Sequence, residues 1–426
     1  MEAKDHHERS AARERRAGGI CVLSRQRIVG NTNGSSTYLL SLCEALHQDG
    51  HVLHLLCPSP TMFGRWPALV MGREMAIFRS IKIRRAVRIG NVYVAVDPMV
   101  LKRAFVGVLG KVLARMGIRI AALSRPAPYA IGLPWEAADL RYVERHAPRQ
   151  ADGVLVDYAF LTEGIARVPA PCGPSAVVMH DLFSSRPSDF GPLGSDQTGG
   201  LVDFDTEMAM LGRAGAVIAI QAEEAAKVRQ QLPGTPVLLA PMATVPVDAP
   251  QAGKGLDLLF IGSNTTPNVD GLRWFFEDVW PSVRRANQAA RLKVAGNVAV
   301  SFPTGVPDGV VLLGRVDDLN PLYAEAAVVI SPLRGGSGLK IKLIEALGQG
   351  KAIVATPTTL QGVAGVVAPA VLVADAAQAF ADAITTLLAD AVLRRAYGER
   401  ALAVVRDHFS AEACYASVVA HFRRRK

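Results

Sequence analysis

The sequence has little of what would tie it to an oxidising compartment, a metal or a membrane span. Its five cysteines (Cys21, Cys43, Cys57, Cys172 and Cys414) are scattered and odd in number, which gives neither paired metal spacing nor a disulfide framework. A reducing cytosol is therefore the expected setting. No run of about 20 uninterrupted apolar residues occurs, so no helix is expected to span a bilayer. Residues 1–19 carry charges of both signs, lack the apolar core of a secretory signal and read as a loose tail. No His/Cys cluster suggests a metal, and no cofactor is implied.

What is present is a folded chain of 426 residues, half of them hydrophobic and a fifth charged. That length exceeds the usual span of one core, so two α/β domains are expected. The net charge of +9 is concentrated: residues 79–125 hold eleven Lys or Arg (Arg79, Lys82, Arg84, Arg85, Arg88, Lys102, Arg103, Lys111, Arg115, Arg119 and Arg125) against one acid, Asp97. The remainder is close to neutral.

The pattern opens with an apolar strand over Ile20–Ser24, a Gly/Asn/Ser loop, and a helix whose Leu39, Leu42, Cys43 and Leu46 share one face. Gly50 suits the helix stop, and His51–Cys57 reads as a second strand. Further strands are expected at Gly153–Asp157, Ala176–His180, Ala216–Gln221 and Val237–Ala240. Thr244–Lys254, rich in Pro, Ala and Gly, looks like a linker between domains at 20–243 and 255–426. A second alternation follows: strand Leu256–Ile261, a helix with Leu272, Phe275, Phe276 and Val279 on one face, strands Leu292–Ala295, Val310–Leu313 and Val328–Ser331, a helix from about Gly338 to Leu347, and strand Ala352–Ala355. Two such series predict two parallel sheets with ligands at the carboxyl ends of their strands, and a site in the cleft between them.

The segment Ser331–Thr356, SPLRGGSGLKIKLIEALGQGKAIVAT, carries the clearest chemistry. Its glycines let a diphosphate approach the backbone ahead of a helix start, with Arg334, Lys340 and Lys342 adding positive charge. Glu345, further along the helix, is suited either to the hydroxyls of a ribose or sugar or to an ion pair with Lys342.

These residues, with LLFIGSNTTPNVDGLRWFFEDVWP (Leu258–Pro281) and LLGRVDDLNPLYAEAAVVISPL (Leu312–Leu333), resemble the retaining GT-B glycosyltransferases of family four, the group 1 glycosyltransferases. The resemblance covers about 120 residues of the C-terminal half. It implies two facing Rossmann-like domains and transfer of a sugar from a nucleoside diphosphate donor to a hydroxyl acceptor, with retention. It further implies that Glu345 binds the ribose, that Gly336, Ser337 and Gly338 face the diphosphate and sugar, and that Arg315 and Val316 lie near the base. Ser337 stands where many members carry an acid. The loop Ser263, Asn264, Thr265 and Thr266 offers polar groups where many relatives offer a basic one, which makes Lys340 and Lys342 the expected partners of the leaving diphosphate.

In the N-terminal half, the loop GNTNGSSTYLL (Gly30–Leu40), with Gly30, Asn33 and Gly34, lies near the donor phosphate in the resembling family; otherwise it is a tight turn with capping serines. The spacing of Gly30 and Gly34 does not fit the dinucleotide fingerprint, which argues against a nicotinamide enzyme. VVMHDLFSSR (Val177–Arg186) puts His180 and Asp181 at a strand end. The resemblance implies a catalytic role near the transferred sugar for His180, with Asp181 expected to orient its ring. Asp203-Phe204-Asp205 reads as the cap of a helix beginning near Thr206 rather than as a metal motif.

The basic stretch interleaves apolar residues, as in Leu101–Leu123, and is suited to an anionic phospholipid surface or to a solvated helix face over an ordinary core. Aromatics are sparse there, and no nucleic-acid reader motif occurs. A lipid-linked glycan is then one possible acceptor, with the chain peripheral at the inner membrane face. The alternatives to transfer are a sugar-nucleotide epimerase of the same architecture and a non-catalytic binding module.

Overall fold

The computed structural model describes residues 19–30, 34–116, 131–169, 173–185, 202–250, 252–253, 255–303, 305–336 and 338–423. Its two main sheets are parallel and lie one in each half of the chain. The first lobe carries β1 (Ile20–Leu23), β2 (Leu53–Cys57), β3 (Ala68–Val70), β4 (Phe78–Ile83), β5 (Ala86–Ile89), β6 (Val92–Ala95), β7 (Gly153–Asp157), β8 (Ser175–Met179), β9 (Val217–Ala219) and β10 (Val237–Leu239). Seven of these form one sheet in the order β10-β9-β8-β7-β1-β2-β4, while β3-β6-β5 make a small antiparallel sheet. The second lobe carries β11 (Asp257–Ile261), β12 (Arg291–Ala295), β13 (Val310–Gly314), β14 (Val328–Ser331), β15 (Ile353–Ala355) and β16 (Leu372–Val373), in the order β13-β12-β11-β14-β15-β16.

The inner strands are mostly apolar because helices cover both faces of a parallel sheet. Ile20, Cys21, Val22 and Leu23 are all buried, with Ile20 in register with Leu53 on one side and Gly153 on the other. The principal connecting helices are α1 (Gly34–Gln48), α2 (Pro98–Arg115), α3 (Ala222–Gln231), α4 (Ile341–Gly348) and α5 (Ala411–Phe422). Leu39, Leu42, Cys43 and Leu46 form the buried face of α1, and Gly50 takes φ +94 to end it. The expected apolar face at Leu272, Phe275, Phe276 and Val279 is likewise buried.

Strand order changes direction at two places. β1 has β2 on one side and β7 on the other, and β11 lies between β12 and β14. Such switch points open a crevice beyond the carboxyl ends of the strands, so the loop after β1 and the loops after β11 and β14 are the segments positioned to hold a ligand.

Two expectations change. The helix expected from Gly338 begins only at Ile341, because Gly338 has φ +82 and Lys340 turns its amine back onto the carbonyls of Gly336 and Gly338. The basic stretch is not a single amphipathic unit: its first residues form β4, which pairs in parallel with β2 as a strand of the main sheet. Arg119 and Arg125 lie outside the described residues.

The chain after β10 runs along both lobes, with Tyr38 donating to the carbonyl of Ala240 at 2.7 Å and the amide of Val247 donating to the carbonyl of Gly348 at 2.9 Å. Helix α5 then packs against α1. Tyr415 lies edge-on to Tyr38 at 6.1 Å, donates to Ser41 and accepts from the amide of Ala243, and His421 meets the carbonyl of Ser175.

Candidate active site

The end of β1 carries Ser24, Arg25 and Gln26, all buried. Asp157 closes the adjacent β7 and is fully buried. A buried carboxylate requires hydrogen-bond partners, and Asp157 has three: Ser24 Oγ donates to Oδ2 at 2.5 Å, Gln26 Nε2 donates to the same oxygen at 2.8 Å, and Oδ1 faces His180 Nε2 at 2.8 Å. The contact with His180 follows from register, because Asp157 pairs with Val178 on β8, two residues before the histidine. The His180 ring is held between Tyr158, at 4.2 Å between centroids, and the edge of Tyr38, at 5.6 Å. Tyr158 adopts φ +71, a strained conformation for a non-glycine residue that recurs at functional sites.

Asp157 therefore holds His180. Asp181, just past the end of β8, lies near Glu224 of α3. There the Glu224 carboxyl accepts from the amide of Leu182 at 3.3 Å, and burial, reinforced by Asp181, pushes its pKa up to about 7. Glu207 is fully buried nearby and accepts from the amides of Phe183 and Ser184. Neither Asp157 nor Glu224 was anticipated as a functional residue. The available signal for Asp157 was a single acid ending the otherwise apolar strand GVLVD.

Arg25 and Arg84 converge on Asp139 at 3.1 and 2.7 Å, and Arg25 also covers the Trp135 ring at 4.3 Å. These arginines are buried scaffold beneath the loop. Arg27, in the loop after β1, is exposed, and partial desolvation lowers its pKa.

In the second lobe, the turn after β14 is braced by Thr359, which donates to the carbonyl of Ser331, and by Thr356, which donates to that of Leu333. Gly336 takes φ +109, and the Arg334 guanidinium lies 5.6 Å from the Trp274 ring centroid. Lys340 is within hydrogen-bond reach of the carbonyls of Gly336 and Gly338, and burial pushes its pKa down to about 8. Lys342 and Glu345 pair at 2.6 Å, and the charge of Glu345 reaches the buried Tyr323, whose hydroxyl has no hydrogen-bond partner among the described residues. The charge of Glu345 thus helps push the Tyr323 phenol up, after desolvation.

After β11, Ser263 is held through its carbonyl by Asn268 at 2.9 Å, and Asn264 accepts from Ser301 at 2.6 Å. Arg315 and Val316 follow β13, with the exposed Arg315 3.6 Å from Asp317. Asn33 and Ser337 lie outside the described residues. Asp203 caps the helix Phe204–Leu211 by accepting from the amide of Thr206 at 2.8 Å. Among the described residues no group of three His, Cys, Asp or Glu is placed to hold a metal ion.

The two halves of the site meet. A β-carbon on Gly34 would lie 2.8 Å from Ile341 Cδ1, so the start of α1 touches the start of α4. Ser35 donates to Gln26, which donates to Asp157, which holds His180. The residues after β1, β7 and β8 are thereby connected to the glycine turn and helix start after β14.

Residues 255–390 match the family model described as Glycosyl transferases group 1. The match is confined to the second lobe of the chain. The family match covers the turn, Lys340, Lys342 and Glu345, together with the loops after β11 and β13. An uncharacterised 44.6 kDa protein of the cps region of Klebsiella pneumoniae is 26% identical over 117 residues, 25% of this chain and 30% of that protein. This chain therefore spans less than a third of the length of the curated relative it matches. Sucrose-phosphate synthase from Thermosynechococcus elongatus aligns with a TM-score of 0.58 at 17% identity, over 95% of this chain and 98% of that one. TarM of S. aureus, solved with UDP and α-GlcNAc-glycerol, aligns with a TM-score of 0.53 at 15% identity, over 68% of this chain and 59% of that one. The architecture is GT-B, with two Rossmann-like lobes.

Proposed function

We propose that this chain transfers a sugar from a nucleoside diphosphate donor to a hydroxyl acceptor, with the donor held by the second lobe. The observation that carries the reading is the turn after β14. Gly336 and Gly338 have backbone conformations that side chains resist, the Lys340 amine lies within the turn, and the opposing lobe meets it through Gly34. A glycine turn with a partly buried cation at a helix start suits a diphosphate. The group 1 match over residues 255–390 and a GT-B neighbour solved with UDP support the same assignment.

In this reading Glu345 exchanges its pairing with Lys342 for the ribose hydroxyls. The freed Lys342, with Lys340, Arg334 and Arg27, balances the charge that develops on the departing diphosphate. Gly336, Ser337 and Gly338 line the diphosphate and sugar, Ser263 and Asn264 close the far side, and Arg315 and Val316 flank the base. His180, fixed by Asp157, faces the transferred sugar. Rate acceleration then comes from positioning and leaving-group stabilisation, with retention at the anomeric carbon as the family resemblance implies. The reaction needs no cofactor or metal beyond the donor.

Calorimetry with a panel of nucleoside diphosphates and their sugars tests the donor assignment. Glu345→Ala is expected to remove donor binding with an unchanged melting temperature, since a partly exposed carboxylate is lost without core volume. Equal affinity in wild type and variant would refute the ribose role. Product analysis separates transfer from epimerisation, and transfer is expected to persist in a chelator.

A further inference from the structure

Helix α2 is amphipathic in the reverse of the usual sense. Its 18 residues contain Lys102, Arg103, Lys111 and Arg115 and no acid. Val100 is buried, at 1% exposure, whereas Leu101, Phe105, Val108, Leu109, Val112 and Met116, just past its end, are exposed by 46, 68, 61, 39, 47 and 69%. At 100° per residue these six side chains fall within an arc of about 100° and form a stripe about 22 Å long. Lys102 borders one edge of the stripe and Arg115 the other, and the arc faces away from Val100 and the protein. An ordinary surface helix turns its apolar face to the core, and this one turns it to solvent.

The adjoining surface continues the pattern. Trp66 is 55% exposed under the Lys111 ammonium at 4.8 Å, and Val70, Val87 and Ile89 of the small sheet are exposed by 61, 50 and 66%. The structure also sorts the cations of the basic stretch. Arg84 is consumed by Asp139, Arg85 by Asp97, and Lys82 bonds the carbonyl of His146. Of those remaining, Lys102 and Arg115 border the stripe, Arg88 lies on the small sheet, and Lys111 covers Trp66 beside it. Among the described residues no helix is long and apolar enough to cross a membrane.

The geometry points to α2 and the β3–β6–β5 sheet as a surface that docks on an anionic phospholipid bilayer, with α2 lying in the interface plane and its stripe at the acyl boundary. An anionic bilayer matches the charge of this surface, because the stripe is bordered by Lys102 on one edge and Arg115 on the other and the helix carries no acid. In-plane helices combine an apolar face with flanking Lys and Arg, and each cation near the surface adds about fivefold to binding. The surface adjoins the cleft: Val70 ends β3 two residues before Gly72, whose amide donates to Val29 beside Gly30. A hydroxyl acceptor embedded in that bilayer would be presented to the mouth of the site. The docking itself is independent of the sugar-transfer reading.

The full chain is sedimented, without donor, with vesicles of phosphatidylcholine alone and of phosphatidylcholine with 30% phosphatidylglycerol, at low and high salt. Wild type is expected in the anionic pellet at low salt and mainly in the supernatant with neutral vesicles. Phe105→Glu with Val112→Glu is expected to return it to the supernatant. Lys102→Gln, Lys111→Gln and Arg115→Gln together are expected to weaken binding on the order of a hundredfold. Val108→Ser with Val112→Ser gives a milder check should the acidic variant misfold, judged by circular dichroism. Wild type that ignores anionic vesicles, or a Glu variant that binds as wild type does, overturns the proposal. So does a wild-type dimer that the Glu variant dissociates, since the stripe would then be a contact between copies. Nucleoside diphosphate affinity, unaltered in these variants, keeps a failure here distinct from a failure of the donor assignment.

Discussion

Asp157 holds three hydrogen bonds in a fully buried position, so its removal reaches the site through Ser24, Gln26 and His180. Asp157→Asn retains the volume while losing the charge and one acceptor. Turnover is expected to fall at least roughly tenfold with the donor Michaelis constant nearly unchanged, and the pH–rate profile to shift, as for a residue that acts by positioning a proton-transfer group. An unchanged profile would leave Asp157 a structural residue. Lys340 provides a second test, because burial brings its pKa from the ordinary lysine value of 10.5 to about 8. Its charge is present below pH 8 and lost above, so donor affinity is expected to fall by up to about tenfold per pH unit above 8, and Lys340→Met to remove that dependence. Stability moves the other way. The folded state binds fewer protons than the unfolded state between pH 8 and 10.5, so the penalty for burying the charged amine is relieved as pH rises through that window. Melting and donor titration from pH 7 to 10 therefore carry opposite signs for the same group.

At the scale of elements, the delayed start of α4 and the contact of α1 with it set the distance between the lobes. Gly34 has no β-carbon where Ile341 arrives. Gly34→Leu is expected to wedge the lobes apart while leaving the second lobe's own turn intact. Turnover should drop by more than about tenfold and nucleoside diphosphate affinity stay within about twofold, since misplacement by about 1 Å already costs that much in rate. Loss of nucleotide affinity in proportion would show that the first-lobe loop holds the donor itself. Helix α2 is the contrasting element. Little of it is bound to the core, so its composition is free to serve an outside surface.

For the whole molecule, α5 joins the last part of the chain to the first lobe. Phe422 is 1% exposed against Gly153, Tyr415 is fully buried beside Tyr38, and Arg423 pairs with Asp49 at 2.5 Å. The lobes thus share a packed seam and are expected to melt in one calorimetric transition. Phe422→Ala removes a large buried ring and should cost about 3–5 kcal/mol, lowering the first lobe more than the second and splitting the transition in two. A single transition retained at lower temperature would place the coupling elsewhere, in the strand-to-strand run through Ala240 and Val247.

Local pattern alone determined the two parallel sheets, because a strand covered on both faces must be apolar throughout and a helix face must repeat every three or four residues. The glycine turn with Lys340, Lys342 and Glu345 was legible for the same reason: its backbone demands and charges lie within one short segment. The Asp203 cap was equally local. Tertiary structure decided the rest. The partner of His180 depends on the register between β7 and β8, which brings Asp157 beside it from 23 residues away. The meeting of Gly34 with Ile341 depends on how two separately folded sheets close. The direction of the α2 stripe depends on which side the core occupies; periodicity gives a helix two faces, and only packing tells which one is left in the solvent.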